Sequence, residues 1–202
     1  MRISFLTMTA LLMGFTLASC NSQDWPEEGV KINGVVWASC NVDAPGRFAS
    51  KPEGTGMMYQ WNSNRAWSAA RSVSRWNTTA SLGATWEAAN DPSPEGWRVP
   101  TREEINQLLD ETKVSRVWTL LNGVWGYRFT DKSNNNSIFL PSAGYRNATD
   151  GTLEGARSIG FYWSGTEANF DGAYLFKFRG LDGAEEAIIE KLSGLSIRPV
   201  KK

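Results

Sequence analysis

The chain has 202 residues, 41% of them apolar and 12% aromatic, which suits one domain of ordinary size with a full core. Its 21 basic and 21 acidic side chains cancel, which argues against the electrostatic footprint of a nucleic-acid partner. Ten tryptophans are accompanied by no histidine, so serine or cysteine catalysis with a histidine base, the HExxH metalloprotease site and imidazole zinc sites are all excluded.

Residues 1–19 carry one basic side chain, Arg2, and then an apolar run from Ile3 to Ala18 that is short for a membrane span. This is the pattern of a signal peptide. The run ends in Leu17-Ala18-Ser19-Cys20, which resembles the bacterial lipobox. That resemblance implies cleavage before Cys20 and a diacylglycerol on its thiol, an anchor to which each buried methylene adds about 0.8 kcal/mol. No second hydrophobic stretch follows, so the membrane is expected to be a partner only through the lipid. Residues 20–29 are polar and acidic, contain Pro26, and read as a flexible tether. They are similar to the tethers that route Bacteroidetes-type lipoproteins to the exterior of the outer membrane, although a plain linker fits equally. With Cys20 acylated, Cys40 has no disulfide partner and is expected to be a small buried hydrophobe.

The domain proper is expected over residues 30–202. Val30-Lys31-Ile32, Asn33-Gly34 and Val35-Val36-Trp37-Ala38 read as a hairpin, because Asn-Gly supplies the two positive φ angles of a type I′ turn. Residues 43–56 read as loop and Met57 to Trp61 as a short strand. Residues 62–90 mix tryptophan, serine, threonine, alanine and asparagine with weak periodicity, as in a long ordered loop with a short helix. Thr101 and Glu104 form a capping box for a helix running through Ile105, Leu108 and Leu109 to about Thr112. Val124 to Phe129 and Ile138 to Pro141 read as strands, followed by Phe161 to Trp163, Ala173 to Arg179, Ala187 to Ile189 and Leu195 to Val200. Along Ala173 to Arg179 the alternation places Tyr174, Phe176 and Phe178 in the core, and Ala173, Leu175, Lys177 and Arg179 outward. The expected fold class is α+β, mainly short antiparallel strands with one or two helices and long loops.

Trp37, Trp97 and Trp163 are assigned to the core. Trp61, Trp67, Trp76 and Trp86 fall among asparagines and arginines in the long polar stretch. Either they form plates that stack and hydrogen-bond a ligand, or they are the small apolar cluster that keeps such a loop ordered.

Several segments together resemble the Fibrobacter succinogenes major paralogous domain, a family of Bacteroidetes lipoproteins related to the C-type lectin fold. They are Val36 to Val42 (VWASCNV), Gly56 to Asn62 (GMMYQWN), Trp86 to Pro92 (WEAANDP), Gly96 to Thr101 (GWRVPT), Leu140 to Arg146 (LPSAGYR), Tyr162 to Ser164 (YWS) and Gly194 to Val200 (GLSIRPV). The resemblance implies a C-type-lectin-like domain whose termini pair in the sheet and whose loops carry an extracellular glycan or protein ligand, without catalysis. One position departs from the family, which often has cysteine where this chain has Ser93, available to bridge to the equivalent of Cys40. The EPN or QPD and WND tripeptides of calcium-dependent lectins are absent and the acids are scattered, so neither metal nor cofactor is expected. The two active-site cysteines of the related formylglycine-generating enzymes cannot be supplied by Cys40 alone. By analogy of fold, the contact surface is expected at Tyr145, Arg146, Asn147, Tyr162, Glu167, Asn169, Lys177 and Arg179 of a monomeric protein. Two other readings fit the same motifs: a fimbrial or surface-assembly subunit, and a binding protein diversified by a retroelement between Thr166 and Leu192.

Overall fold

A computed structural model describes residues 29–79 and 83–202. The signal segment 1–19, Cys20 and the tether up to residue 28 lie outside the described residues.

The elements run β1 (Val30–Ile32), β2 (Val35–Trp37), β3 (Met57–Gln60), β4 (Trp67–Ser68), a 3₁₀ turn at Ala88–Asn90, β5 (Trp97–Arg98) and α1 (Arg102–Leu109). Then follow β6 (Val114–Leu121), β7 (Val124–Asp131), β8 (Ser137–Pro141), β9 (Tyr145–Arg146), β10 (Leu153–Glu154), β11 (Ile159–Glu167), β12 (Gly172–Arg179), β13 (Ala184–Glu190), β14 (Gly194–Leu195) and β15 (Val200–Lys201). They make four antiparallel sheets ordered β1-β2-β15-β5, β10-β9-β14-β3-β4, β11-β12-β13 and β6-β7-β8. The class is therefore α+β, with a single α-helix among the described residues.

Local chemistry accounts for the boundaries. Asn33 and Gly34 take φ of 43° and 87°, closing the β1–β2 hairpin as the Asn-Gly signal requires. Asn122 and Gly123, at 48° and 83°, close β6–β7 in the same way. That second hairpin adds β6, a strand not among those expected from the sequence. The capping box is formed: Thr101 Oγ accepts from the Glu104 N–H, and the Glu104 carboxylate accepts from the Thr101 N–H at 2.8 Å. Both guanidinium branches of Arg98 also donate to Glu104, tying β5 to the helix start. The helix stops before Thr112 because Asp110 turns its carboxylate onto the Thr112 N–H and hydroxyl.

The C-terminal run expected as one strand is divided between partners. Gly194 and Leu195 pair with β3, Ser196 bonds to β11 through Phe161, and Val200 pairs with Trp37 of β2. The chain's last strand is thereby laid beside its first hairpin.

Strand β12 lies between two cores. Phe176 and Phe178 join Trp37, Ile105, Leu108, Tyr127, Phe129 and Tyr162 on one side. Ala173 and Leu175 join Tyr59, Trp61, Trp163, Leu195 and Ile197 on the other, so these two do not face outward as the alternation suggested. A period of two reports which residues share a face, but not whether a second layer covers it.

Candidate functional site

The site begins with the register of the β6–β7 hairpin. Trp118 pairs with Tyr127 and Leu120 with Trp125, which puts all four on one face with Phe129. Phe129 is fully buried, Tyr127 nearly so, Trp118 half-buried, and Trp125 is 43% exposed. The face thus runs as an aromatic ladder from the core out to the turn. Its last two rings stack nearly parallel, with centroids 5.6 Å apart and planes 2° apart. Trp118 also meets Phe178 of β12 edge-on, which fixes the ladder to the neighbouring sheet. Neither the Trp118 nor the Trp125 indole N–H has a partner among the described residues.

Opposite the stacked pair stand Arg157 and Ser158, which precede β11, and Arg179 to Asp182, where β12 turns into β13. Together with the two indoles they line an open, shallow cleft of about 310 Å³. The pairing Ile159↔Arg179 sets these segments side by side, and Arg157 and Arg179 both line the cleft. Arg157 occupies the left-handed region at φ 69°, a conformation costly for a side chain of its kind. A second cleft of about 350 Å³ shares Arg179 and Asp182 and continues along Phe161, Lys177 and Glu185, the last two joined at 3.0 Å. The arrangement offers a flat exposed indole, two unengaged indole N–H donors, two guanidinium groups and a carboxylate.

Of the residues expected at the contact surface, Lys177 and Arg179 line this double cleft. Tyr145 reaches it indirectly, stacking on Phe161 with centroids 4.7 Å apart. Its hydroxyl donates to Glu154, which also accepts from the Asn147 amide, so both side chains close the β9–β10 hairpin. The bond to Glu154, with burial, pushes the Tyr145 phenol up to about 12. Glu167 and Asn169 sit at the far end of the β11–β12 hairpin. There Glu167 pairs with buried Lys191, and Asn169 Oδ1 accepts from the Asp171 and Gly172 N–H groups.

Two expected contacts are corrected by burial. Arg146 is 1% exposed and donates to the carbonyls of Ser68, Arg71 and Gly151, acting as a bracket between loops. Tyr162 is 0% exposed; its hydroxyl donates to Pro141 O and accepts from Asn41, and burial pushes it up to about 12. Neither side chain is available to a ligand without unfolding its surroundings.

The tryptophans of the long polar stretch turn inward, Trp61 and Trp86 into the second core. Trp61 lies against Trp86 and Trp67 against Trp76, both pairs tilted, and Trp61, Trp76 and Trp86 donate their N–H groups to the carbonyls of Ser164, Ala148 and Asn90. Arg65 covers Trp67, and the Lys191 ammonium lies 4.6 Å from the Trp61 ring. Trp37, Trp97 and Trp163 are buried as expected. Cys40 is free and half-buried; burial pushes its thiol up, and the nearby Arg198 guanidinium opposes that only in part. Ser93 has a buried hydroxyl without a partner among the described residues, beside Pro92, whose carbonyl accepts from Gly46.

Trp118 and Trp125 were not singled out from sequence, although the signal was present: an Asn-Gly turn at 122–123 forces this pairing and so places both indoles on one face. Among the described residues no helix is long and apolar enough to cross a membrane, and no group of three metal-ligating side chains converges. Comparison with family models, curated proteins and solved structures finds no match to the chain.

Proposed function

We propose that this is a lipid-anchored protein of the bacterial outer surface whose lectin-like domain binds an extracellular glycan at the aromatic cleft, without catalysis. The observation that carries the reading is the Trp118–Trp125 stack, which leaves Trp125 43% exposed at the mouth of a cleft with unengaged polar groups. Stacking on Trp118 covers one face of the Trp125 indole and leaves much of the rest of the ring in water. A pyranose ring with its apolar C–H face offers the missing partner. The lectin-like assignment is supported by the sequence motifs, by antiparallel sheets with one helix, and by pairing of the last strand with the first hairpin. The anchoring is supported by the Leu17-Ala18-Ser19-Cys20 motif. An array of oligosaccharides probed with the full chain in detergent should show binding that Trp125→Ala removes. Binding that survives this substitution, or no binding at all, would refute the reading.

A second reading, a surface-assembly subunit, is favoured by β6. This eight-residue strand is the edge of its sheet and exposes Val117 (60%) and Leu120 (51%), where edge strands more often carry charge. Light scattering after size exclusion separates the two: a mass that stays at one chain per particle from micromolar to millimolar concentration excludes strand exchange through β6.

A further inference from the structure

We infer that the aromatic cleft selects a glycan whose contacting sugar carries a carboxylate. The inference rests on the glycan reading above and adds a charge requirement to it.

The argument starts from the arginines. Several guanidinium groups meet acids, Arg98 with Glu104, Arg102 with Glu186 and Arg116 with Glu111, whereas exposed Arg65, Arg71 and Arg75 meet none among the described residues. Arg157 and Arg179 line the same cleft of about 310 Å³, and neither forms an ion pair with any carboxylate among the described residues. Asp182 lines the cleft too, yet it lies outside ion-pairing distance of both. Two like charges lining one small cleft repel, and their field is lowered by an anion placed between them.

Both backbones are held side by side, so the two guanidinium groups share one neighbourhood. Arg179 ends β12 opposite Ile159, and Arg157 lies two residues before that partner, in a turn closed by Ser158 and Ile159 N–H bonds to Gly155 O. Arg157 keeps its left-handed φ although glycine would relieve it. A planar two-oxygen group fits the guanidinium fork in bidentate fashion, which a single hydroxyl does not. Asp182 on the same rim disfavours a bulkier or doubly charged anion and can accept from a ring hydroxyl. The exposed Trp125 face takes the C–H side of the ring, and its free N–H is left to donate to a second hydroxyl. Uronic and sialic-type sugars combine these features: one apolar ring face, one carboxylate and several hydroxyls.

The test is calorimetric titration of the full chain in detergent with matched pairs, an oligogalacturonate against the corresponding galactose oligomer and sialyllactose against lactose, together with a sulfated oligosaccharide. At least one acidic member should bind roughly tenfold more tightly than its neutral partner, an advantage that shrinks with added salt. Arg157→Gln and Arg179→Gln should each reduce that preference towards parity. Trp125→Ala should remove both. Thermal melts keep the readout clean: the two arginine variants should superimpose on the parent and Trp125→Ala should remain cooperative with only a small downward shift. Equal or tighter binding of the neutral sugars, still lost in Trp125→Ala, overturns the carboxylate inference and leaves the glycan reading standing. Preference for the sulfate ester over every carboxylate also overturns it. Binding of no sugar, or binding indifferent to Trp125→Ala, overturns both.

Discussion

Two groups of tryptophans are used in opposite ways. In the long loop, Trp61 and Trp67 are buried, their rings are tilted against Trp86 and Trp76, and three of the four indole N–H groups end on backbone carbonyls. On the β6–β7 hairpin, Trp118 and Trp125 are parallel, graded towards solvent, and keep both N–H groups unengaged. A segment with little regular structure cannot satisfy its backbone through ladders, so it turns its aromatics inward and uses their donors as clasps. A hairpin satisfies its backbone through its own pairing and is free to present side chains outward.

The sharpest way to break that contrast is to delete one ring from each group. Trp61→Ala should cost about 3 to 5 kcal/mol by urea unfolding, because a fully buried indole, its bond to Ser164 O and the cover over Lys191 all go together. Trp125→Ala should cost less than about 1 kcal/mol and act on binding alone. Comparable losses would mean that the hairpin stack is itself structural.

The arginines sharpen the same division. Arg146→Ala strands the carbonyls of Ser68, Arg71 and Gly151, and a loss of roughly 2 to 3 kcal/mol is expected. Amide exchange should accelerate at residues 68–71 and 147–151 first. Arg179→Ala, whose side chain touches no acid, should stay within about 0.5 kcal/mol. An Arg146 variant that melts with the parent would show that water replaces the bracket without cost.

Much of the scaffold was legible because its signals are local. Asn33-Gly34, the Thr101–Glu104 box and the apolar strands 124–129 and 138–141 each state their structure within a few residues. What escaped depended on distant partners. Ala173 and Leu175 read as outward-facing until Trp61 and Trp163 covered them from the long loop and β11. Arg146 and Tyr162 read as surface contacts because a polar side chain in a turn-rich motif is normally solvated; their acceptors, Arg71 O and Pro141 O, lie 75 and 21 residues away. The candidate cleft was half legible. Lys177 and Arg179 follow from strand alternation, whereas Arg157 joins them only through the β11–β12 register. The second Asn-Gly turn was the missed opportunity, since it alone fixes Trp118 and Trp125 on one face.

The smallest expected effect concerns pH, and it too distinguishes the two regions. On the loop side, Glu154 accepts from the Tyr145 hydroxyl at 2.6 Å and the Asn147 amide at 2.9 Å, which hold its carboxyl below the usual range. A group whose folded value is lowered contributes stability above its unfolded value, near 4.3 for glutamate, and loses it as pH falls through the folded one. The partner works in the other direction: Tyr145 is pushed up to about 12, so its contribution is complete below the ordinary phenol range and fades as pH rises towards that value. Amide exchange across residues 145–154, which include the Asn147–Thr152 and Gly151–Asn147 backbone bonds, should therefore quicken at both ends of the pH range. Residues 117–127 of the hairpin contain no acid, and once intrinsic rates are corrected their protection should stay flat over the acid limb. Glu154→Gln keeps an acceptor for Tyr145 and removes its own titration, so the acid response of 145–154 should shrink to the part Asp150 supplies through its bond from the Thr152 N–H, while the hairpin is unchanged. A parallel response in both regions would show that acid acts on the whole domain, and that loop and hairpin open as one cooperative unit instead of two.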